Sequence, residues 1–438
     1  MNRILVISVC IVLSVACSKE QGNTGETVIT KWQDGKWGAI SLTYDDGSIN
    51  QFRRAVPIMN RLDLPGTFFI NTGYIPGSQY RGTFIGRDVN EIIEETATIP
   101  TGEENFFERA SAAAYLGYEG TLEDYYRAGA SYDSGRPEDA YRIIDELYQK
   151  VRTGGYPPLE EAHDPVNIVE GITWDDLRKF AGQGHEFASH MVTHPRLAAL
   201  DEPNAIYELE KSREEILNQI GTRHTFSAEV PFGTEHERAM EYARQFYPAL
   251  RNRMPELYLE ELNRWNQQDP GSSDKEYVQW QRGAVSRTHL PLMKSWIDTT
   301  ASHDNIWLVL VIHGIDGIGW EALSSDTLDA FFRHIKSMED NLWVATFGDV
   351  ARYMRERMDA SVSSELKRGE ILVDVGHSLD AGQYDLPLTL KTYVPTQWKE
   401  VQVEQEGRQK IQPLTDSLGS YVLYRAIPGG GRIRITGI

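Results

Sequence analysis

The sequence predicts an α/β fold, either a (β/α) barrel or an open α/β sheet, followed by a small all-β domain. Two observations predict it. Across 36–355, apolar runs of strand length alternate with amphipathic stretches of helix length, the rhythm of strand–helix units around a parallel sheet. After Met358 the runs shorten, alternate with period two and are punctuated by Gly, Asp and Pro, the pattern of a small antiparallel sandwich. The chain has 438 residues, enough for one large and one small core.

The elements follow in order. Residues 1–17 read as a leader: Arg3 supplies a positive start, and 4–15 form an apolar stretch too short to span a bilayer. Leu13-Ser14-Val15-Ala16-Cys17 resembles a bacterial lipobox. That resemblance implies cleavage before Cys17 and lipidation there, and Ser18 looks like an outer-membrane address. The expected place is therefore the cell envelope, as an outer-membrane lipoprotein facing the periplasm or the surface. The only contact with the membrane would be the lipid anchor. Both cysteines, Cys10 and Cys17, lie in this leader, so no disulfide is expected in the body.

A polar tether is expected over 18–33. A strand at 37–43, a helix at 52–62 and a strand at 66–70 make a β-α-β start. An insertion of helices and loops, rich in Glu, Tyr and Ala, is expected over about 74–170. The rhythm resumes with a helix at 174–181, Thr173 standing as its N-cap and Gly182 near its end. Strands are expected at 185–189, 225–230, 306–312 and 342–347, and helices at 205–220, 235–246, 292–301 and 328–338. These assign 34–358 to one catalytic domain. A Ser-rich linker is expected over 359–365 and a β-sandwich domain over 366–438.

Charge narrows the function. The net charge of −20 excludes a nucleic-acid footprint, which needs a basic surface. The acidity belongs to the larger domain, because 366–438 carry nine Lys/Arg against eight Asp/Glu.

Four short motifs close apolar runs and carry the chemistry. Asp45 and Asp46 leave a strand, so adjacent side chains diverge and can hold separate roles. His190 and His194 stand at i and i+4, a metal-clamp spacing if the stretch is a helical turn. Neutral imidazoles with a carboxylate suit Zn²⁺ or another divalent cation, and Ser189 and Thr193 could brace them. His313 ends the most apolar run of the chain, where a histidine can serve as general acid. Pro231-Phe232-Gly233 sets a rigid turn whose N–H groups could face an oxyanion. Each motif alone also fits an ordinary turn or a core histidine. Together they are a parts list for metal-assisted hydrolysis.

In this order the motifs resemble the NodB-type polysaccharide deacetylases, carbohydrate esterase family four. Thr43-Tyr44-Asp45-Asp46-Gly47 is similar to the first family motif, His190 to His194 to the second, Glu229-Val230-Pro231-Phe232-Gly233 to the third and Ile312-His313 to the fifth. The resemblance implies a distorted, incomplete (β/α) barrel and an enzyme that removes N- or O-linked acetyl groups from a poly- or oligosaccharide. It implies Asp45 as base and His313 as acid. Asp46, His190 and His194 would hold a divalent metal, zinc by preference with cobalt or nickel as alternatives. Metal-bound water would be the nucleophile, and the Pro231-Phe232-Gly233 turn would face the oxyanion. The implied partner is an acetylated glycan; oligomeric state is left open.

Two departures stand out. Glu229 occupies the place of an arginine that pairs with the base, and Arg251, Arg282 and Arg287 are the candidate replacements. The fourth motif, an Asp-Trp element that orients the catalytic histidine, has no clear match; Asp298 after Trp296 is the nearest. These departures motivate a second reading, a catalytically impaired, glycan-binding lipoprotein.

Overall fold

A computed structural model describes residues 23–157 and 172–438; Cys17 and the rest of the leader lie outside the described residues. The chain forms two compact units. The larger comprises Lys31–Asp359 with Leu379–Leu386, and the smaller the segment through Thr30 with Ala360–Ser378 and Pro387–Ile438.

The first strand, β1 (Thr27–Ile29), belongs to the smaller unit. The larger unit contributes β2 (Gly38–Tyr44), β3 (Thr67–Ile70), β4 (Glu186–Ser189), β5 (Ser227–Ala228), β6 (Ala249–Leu250), β7 (Leu259–Leu262), β8 (Tyr277–Gly283), β9 (Ile306–Ile312) and β10 (Leu342–Val344). Its strands run in the order β6-β5-β4-β3-β2-β9-β8-β7, and every pairing is parallel. β2 is shared: Gly38–Ile40 pair with β10, while Thr43 and Tyr44 pair with β3. The two edges, β6 and β7, do not pair with each other, so the parallel sheet curls as an unclosed half-barrel. The distorted barrel expected from the sequence is therefore the observed fold.

The central strand β9 is buried along its whole length, which is why its sequence is an unbroken apolar run. Helices cover the sheet: α1 (Val56–Arg61), α2 (Val89–Glu95), α3 (Phe106–Ala114), α4 (Thr121–Asp133), α5 (Pro137–Arg152), α6 (Trp174–Ala181), α7 (Glu202–Gln219), α8 (Glu237–Ala243), α9 (Leu290–Ala301), α10 (Ser325–Ser337) and α11 (Phe347–Asp359). Thr173 caps α6 through a reciprocal box with Asp176. The described part of the 74–170 stretch supplies α2 to α5, which share a core with Met191, Leu197, Leu200 and Val230. These helices wall the ends of β4 and β5.

The smaller unit adds β11 (Ser361–Lys367), β12 (Glu370–Gly376), β13 (Leu388–Val394), β14 (Val401–Glu404), β15 (Arg408–Ile411), β16 (Leu414–Asp416), β17 (Gly419–Ala426) and β18 (Ile433–Gly437). They form two antiparallel sheets, ordered β1-β13-β17-β16 and β11-β12-β18-β14-β15. Ile371, Val373, Ile433 and Ile435 are buried from one sheet and Leu388, Leu390 and Val422 from the other.

Two expectations change here. The tether over 18–33 contains a strand, because β1 pairs with β13 and Thr27 hydrogen-bonds Thr392 across the pair at 2.9 Å. The linker over 359–365 is largely strand. β11 is an almost wholly exposed edge, hence its polar, Ser-rich sequence, and it is recruited by backbone pairing to β12. Arg368 and Gly369, both at positive φ, make the hairpin turn between them.

Candidate active site

The site is assembled from residues that directly follow parallel strands. Asp45 follows β2, His190 follows β4, Glu229 follows β5, Arg251 follows β6 and His313 follows β9. Parallel strands end on one side of the sheet, so these side chains converge there. The ladder extends one residue further to hold them. Asp45 N–H donates to the Ile312 carbonyl at 3.0 Å, His190 to Ile70 at 2.9 Å, Glu229 to Ser189 at 3.0 Å and Arg251 to Ala228 at 3.0 Å.

Asp46, His190 and His194 come together, each buried, with one ligand atom apiece all within 4.8 Å of one another. Asp46 Oδ1 lies 3.6 Å from His190 Nε2 and 3.3 Å from His194 Nε2. His190 Nδ1 is 2.8 Å from the Glu229 carbonyl. In the tautomer that donates there, Nε2 carries a lone pair toward Asp46. One carboxylate and two imidazoles on a buried, cavity-facing cluster fit a divalent cation with positions left for other ligands.

The 190–194 segment is a tight turn and not the helical turn that the i, i+4 spacing suggested. Met191 and His194 have φ of 67° and 61°, in the left-handed region. The buried carboxylate of Glu208, on α7, accepts from Val192 N–H at 2.8 Å, Thr193 N–H at 2.9 Å and the Thr193 hydroxyl at 2.6 Å. Ser189 Oγ accepts from Met191 N–H at 3.1 Å. Glu208→Ala is expected to leave these buried donors unsatisfied and lower stability by about 3 kcal/mol. It should also weaken metal affinity about 10- to 100-fold, measured by denaturant melts and metal titration. An unchanged affinity would remove Glu208 from the support of the site.

Of the three arginines named from the sequence, Arg251 reaches Asp45. Its Nη1 donates to Asp45 Oδ1 at 2.8 Å and its Nη2 to Oδ2 at 2.6 Å, a bidentate fork. Its Nε donates to Glu229 Oε2 at 3.1 Å. Arg282 lies instead against the Trp280 ring, and neither Arg282 nor Arg287 lines the cavity. One buried guanidinium thus serves two buried carboxylates, and Arg251 stands as the cation that Asp45 and Glu229 share. Burial alone would raise Asp45; Arg251 first, then His313 and His190, overcome it and hold Asp45 below the usual carboxylate range. Burial dominates at Glu229, which is raised.

His313 Nε2 stands 3.3 Å from Asp45 Oδ2. Burial lowers its pKa, against the opposing pull of Asp45 and Asp46. Its Nδ1 has no hydrogen-bond partner among the described residues. Asp298 does not fill that role; it lies 3.3 Å from His334, on α10.

These groups open into one cavity of about 480 Å³. Phe232 and Gly233, both at positive φ, line it, following the buried Pro231. The Phe232 ring meets His194 edge-on at 4.7 Å, and Arg196 covers it at 3.9 Å. Tyr126 from α4, Arg264 and Trp320 complete the wall. The sequence reading did not single out Glu208, Arg264 or Trp320. Trp320 closes a Gly-rich loop directly after His313, and that adjacency was the available signal.

Residues 148–247 match the family model described as polysaccharide deacetylase. A curated relative, a gellan lyase of a Bacillus species, is 25% identical over 279 residues, which is 59% of this chain and 11% of that protein. The chain therefore spans about a tenth of that relative's length. Among solved structures, a Mycobacterium smegmatis protein assigned to the polysaccharide deacetylases is similar at 14% identity and a TM-score of 0.39, over 76% of this chain and 94% of that one. Bacillus subtilis PdaA, a family 4 carbohydrate esterase, is similar at 11% identity and a TM-score of 0.32, over 72% and 80%.

Proposed function

We propose, for a chain that carries a polysaccharide deacetylase domain, that it is a metal-dependent hydrolase removing N- or O-linked acetyl groups from a poly- or oligosaccharide. The observation that carries this is the opening of the Asp46, His190 and His194 cluster and the Asp45–His313 pair into one cavity. A divalent cation held by Asp46, His190 and His194 would supply Lewis-acid charge and acidify a water. Asp45, kept ionised and oriented by the Arg251 fork, takes the proton of the attacking water. His313 stands within reach of Asp45 and delivers a proton to the departing amine or alcohol. The Phe232 turn bears the backbone N–H assigned to the oxyanion.

The test is acetate release from chitooligosaccharides and from acetylxylan, by chelator-stripped protein and by protein reloaded with Zn²⁺, Co²⁺ or Ni²⁺. Release is expected only after reloading. No acetate from any glycan at full metal occupancy would reject the proposal. In that event the second reading, a glycan-binding protein of impaired activity, gains the ground. The unpartnered Nδ1 of His313 favours it, and calorimetry would then register sugar binding without turnover.

A further inference from the structure

The charges of the cavity do not all cancel within it. Arg251 is held by Asp45 and Glu229, and Arg196 by Asp133 at 3.4 Å. Asp46 faces the two histidines. Arg264 also lines the cavity, half-buried, and among the described residues no carboxylate lies within ion-pairing distance of it.

Its place is well determined. Arg264 follows β7, the sheet edge that fails to pair with β6, so it stands where the half-barrel is open. Asn263 ties down the turn: its side-chain oxygen accepts from Trp265 N–H and Asn266 N–H, each at 3.1 Å, and its amide donates to Glu235 at 2.9 Å. The guanidinium sits 5.8 Å from the Trp320 ring and 5.1 Å from the Trp265 ring. Trp320 in turn meets His313 edge-on at 4.7 Å. Gly233 lies alongside the guanidinium: a Cβ placed there would make ordinary van der Waals contact with Arg264 Nη2, at 3.5 Å. Trp320 and Trp265 are both partly exposed.

A fork of N–H donors with no carboxylate at ion-pairing distance among the described residues, flanked by exposed indole faces and next to the reacting groups, has the chemistry of an acid-sugar subsite. The rings suit sugar faces and the guanidinium suits a bidentate anion. Resting on the deacetylase reading, we infer that the substrate is an anionic glycan, bearing a carboxylate or sulfate on a sugar beside the acetylated one, and that Arg264 binds that anion while Trp320 carries the ring.

The experiment compares acetate release from matched N-acetylated oligosaccharides: neutral chitotetraose, a hyaluronan tetrasaccharide bearing carboxylates, and sulfated chitotetraose. Wild-type kcat/KM is expected to favour one anionic form over the neutral one about 10- to 100-fold, the worth of a hydrogen-bonded charge. Arg264→Gln should erase that preference, chiefly through KM, and Arg264→Lys should keep part of it. Which anion is preferred distinguishes carboxylate from sulfate. In parallel, calorimetry of the two anionic probes against metal-free protein should give a Kd weakened by the same factor in Arg264→Gln. Equal use of neutral and anionic glycans by wild type, or an equal loss on both in Arg264→Gln, would overturn the inference and leave Arg264 as a counter-charge to the site carboxylates. No acetate from any metal-loaded sample would reject the deacetylase reading instead, while the metal-free binding arm would still decide the role of Arg264.

Discussion

Asp46→Ala is expected to abolish metal binding and to lower acetate release about 10³-fold or more, the scale of a lost electrostatic stabiliser in a buried site. Asp46 is the only carboxylate of the cluster, and both Nε2 atoms face its Oδ1. Without it two neutral imidazoles remain, a poor set for a hard or borderline divalent ion. Binding to the native state alone also stabilises, by about 2.7 kcal/mol at a free metal concentration 100 times Kd. Wild type should therefore melt higher on adding Zn²⁺, and Asp46→Ala should not. A melting temperature that still rises with Zn²⁺ in the variant, or acetate release that survives without bound metal, would show that the cluster is not the metal site.

Arg251→Met is expected to be the most destabilising single change at the site. Asp45, Glu229 and Arg251 are all buried, and among the described residues the arginine is the only cation hydrogen-bonded to either carboxylate. Removing one partner from a buried charge group costs about 3–5 kcal/mol, because what remains is uncompensated charge. The pH dependence should change with it. In wild type the depressed pKa of Asp45 adds stability above the unfolded carboxyl value of about 3.9, and this is lost as pH falls through the lower native value. In Arg251→Met, burial is left without its counterweight and both carboxyls rise. The native state then binds protons that the unfolded chain has released, so stability falls as pH climbs above about 4. The deficit against wild type should be larger at pH 8 than at pH 5 in urea melts. Adding Glu229→Gln should recover part of it. A deficit that is flat with pH would mean the two carboxylates draw their compensation elsewhere.

The arginine illustrates where the sequence ran out. Glu229 occupies the motif position in which a cation was expected, and three arginines were available to replace it. The choice fell to Arg251 because β6, a strand of two residues, sets it beside β5 at the open edge of the sheet. Two residues show no periodicity, so β6 cannot be read from the pattern; β7 is nearly as short. The long and wholly buried β9, by contrast, announced itself and delivered His313 to the site. The histidine pair was legible as a pair, but its backbone was not. Nothing in the i, i+4 spacing distinguishes a helix from a turn held by a carboxylate that arrives with Glu208 on the next helix.

The sequence by itself determined the α/β fold and which groups would gather at one candidate site: Asp45, Asp46, His190, His194 and His313 lie at or just beyond apolar runs, and a parallel sheet gathers strand ends onto one face. Tertiary structure alone decided how those groups are charged and what they face. Arg251 bridges Asp45 to Glu229, Glu208 holds the 190–194 turn, and Arg264 lines the cavity with no carboxylate at ion-pairing distance among the described residues. The physical reason is that apolar periodicity is local and follows from burial, whereas ion pairs form between residues brought together by strand order. That order is set by the packing of the whole sheet, not by any segment of it.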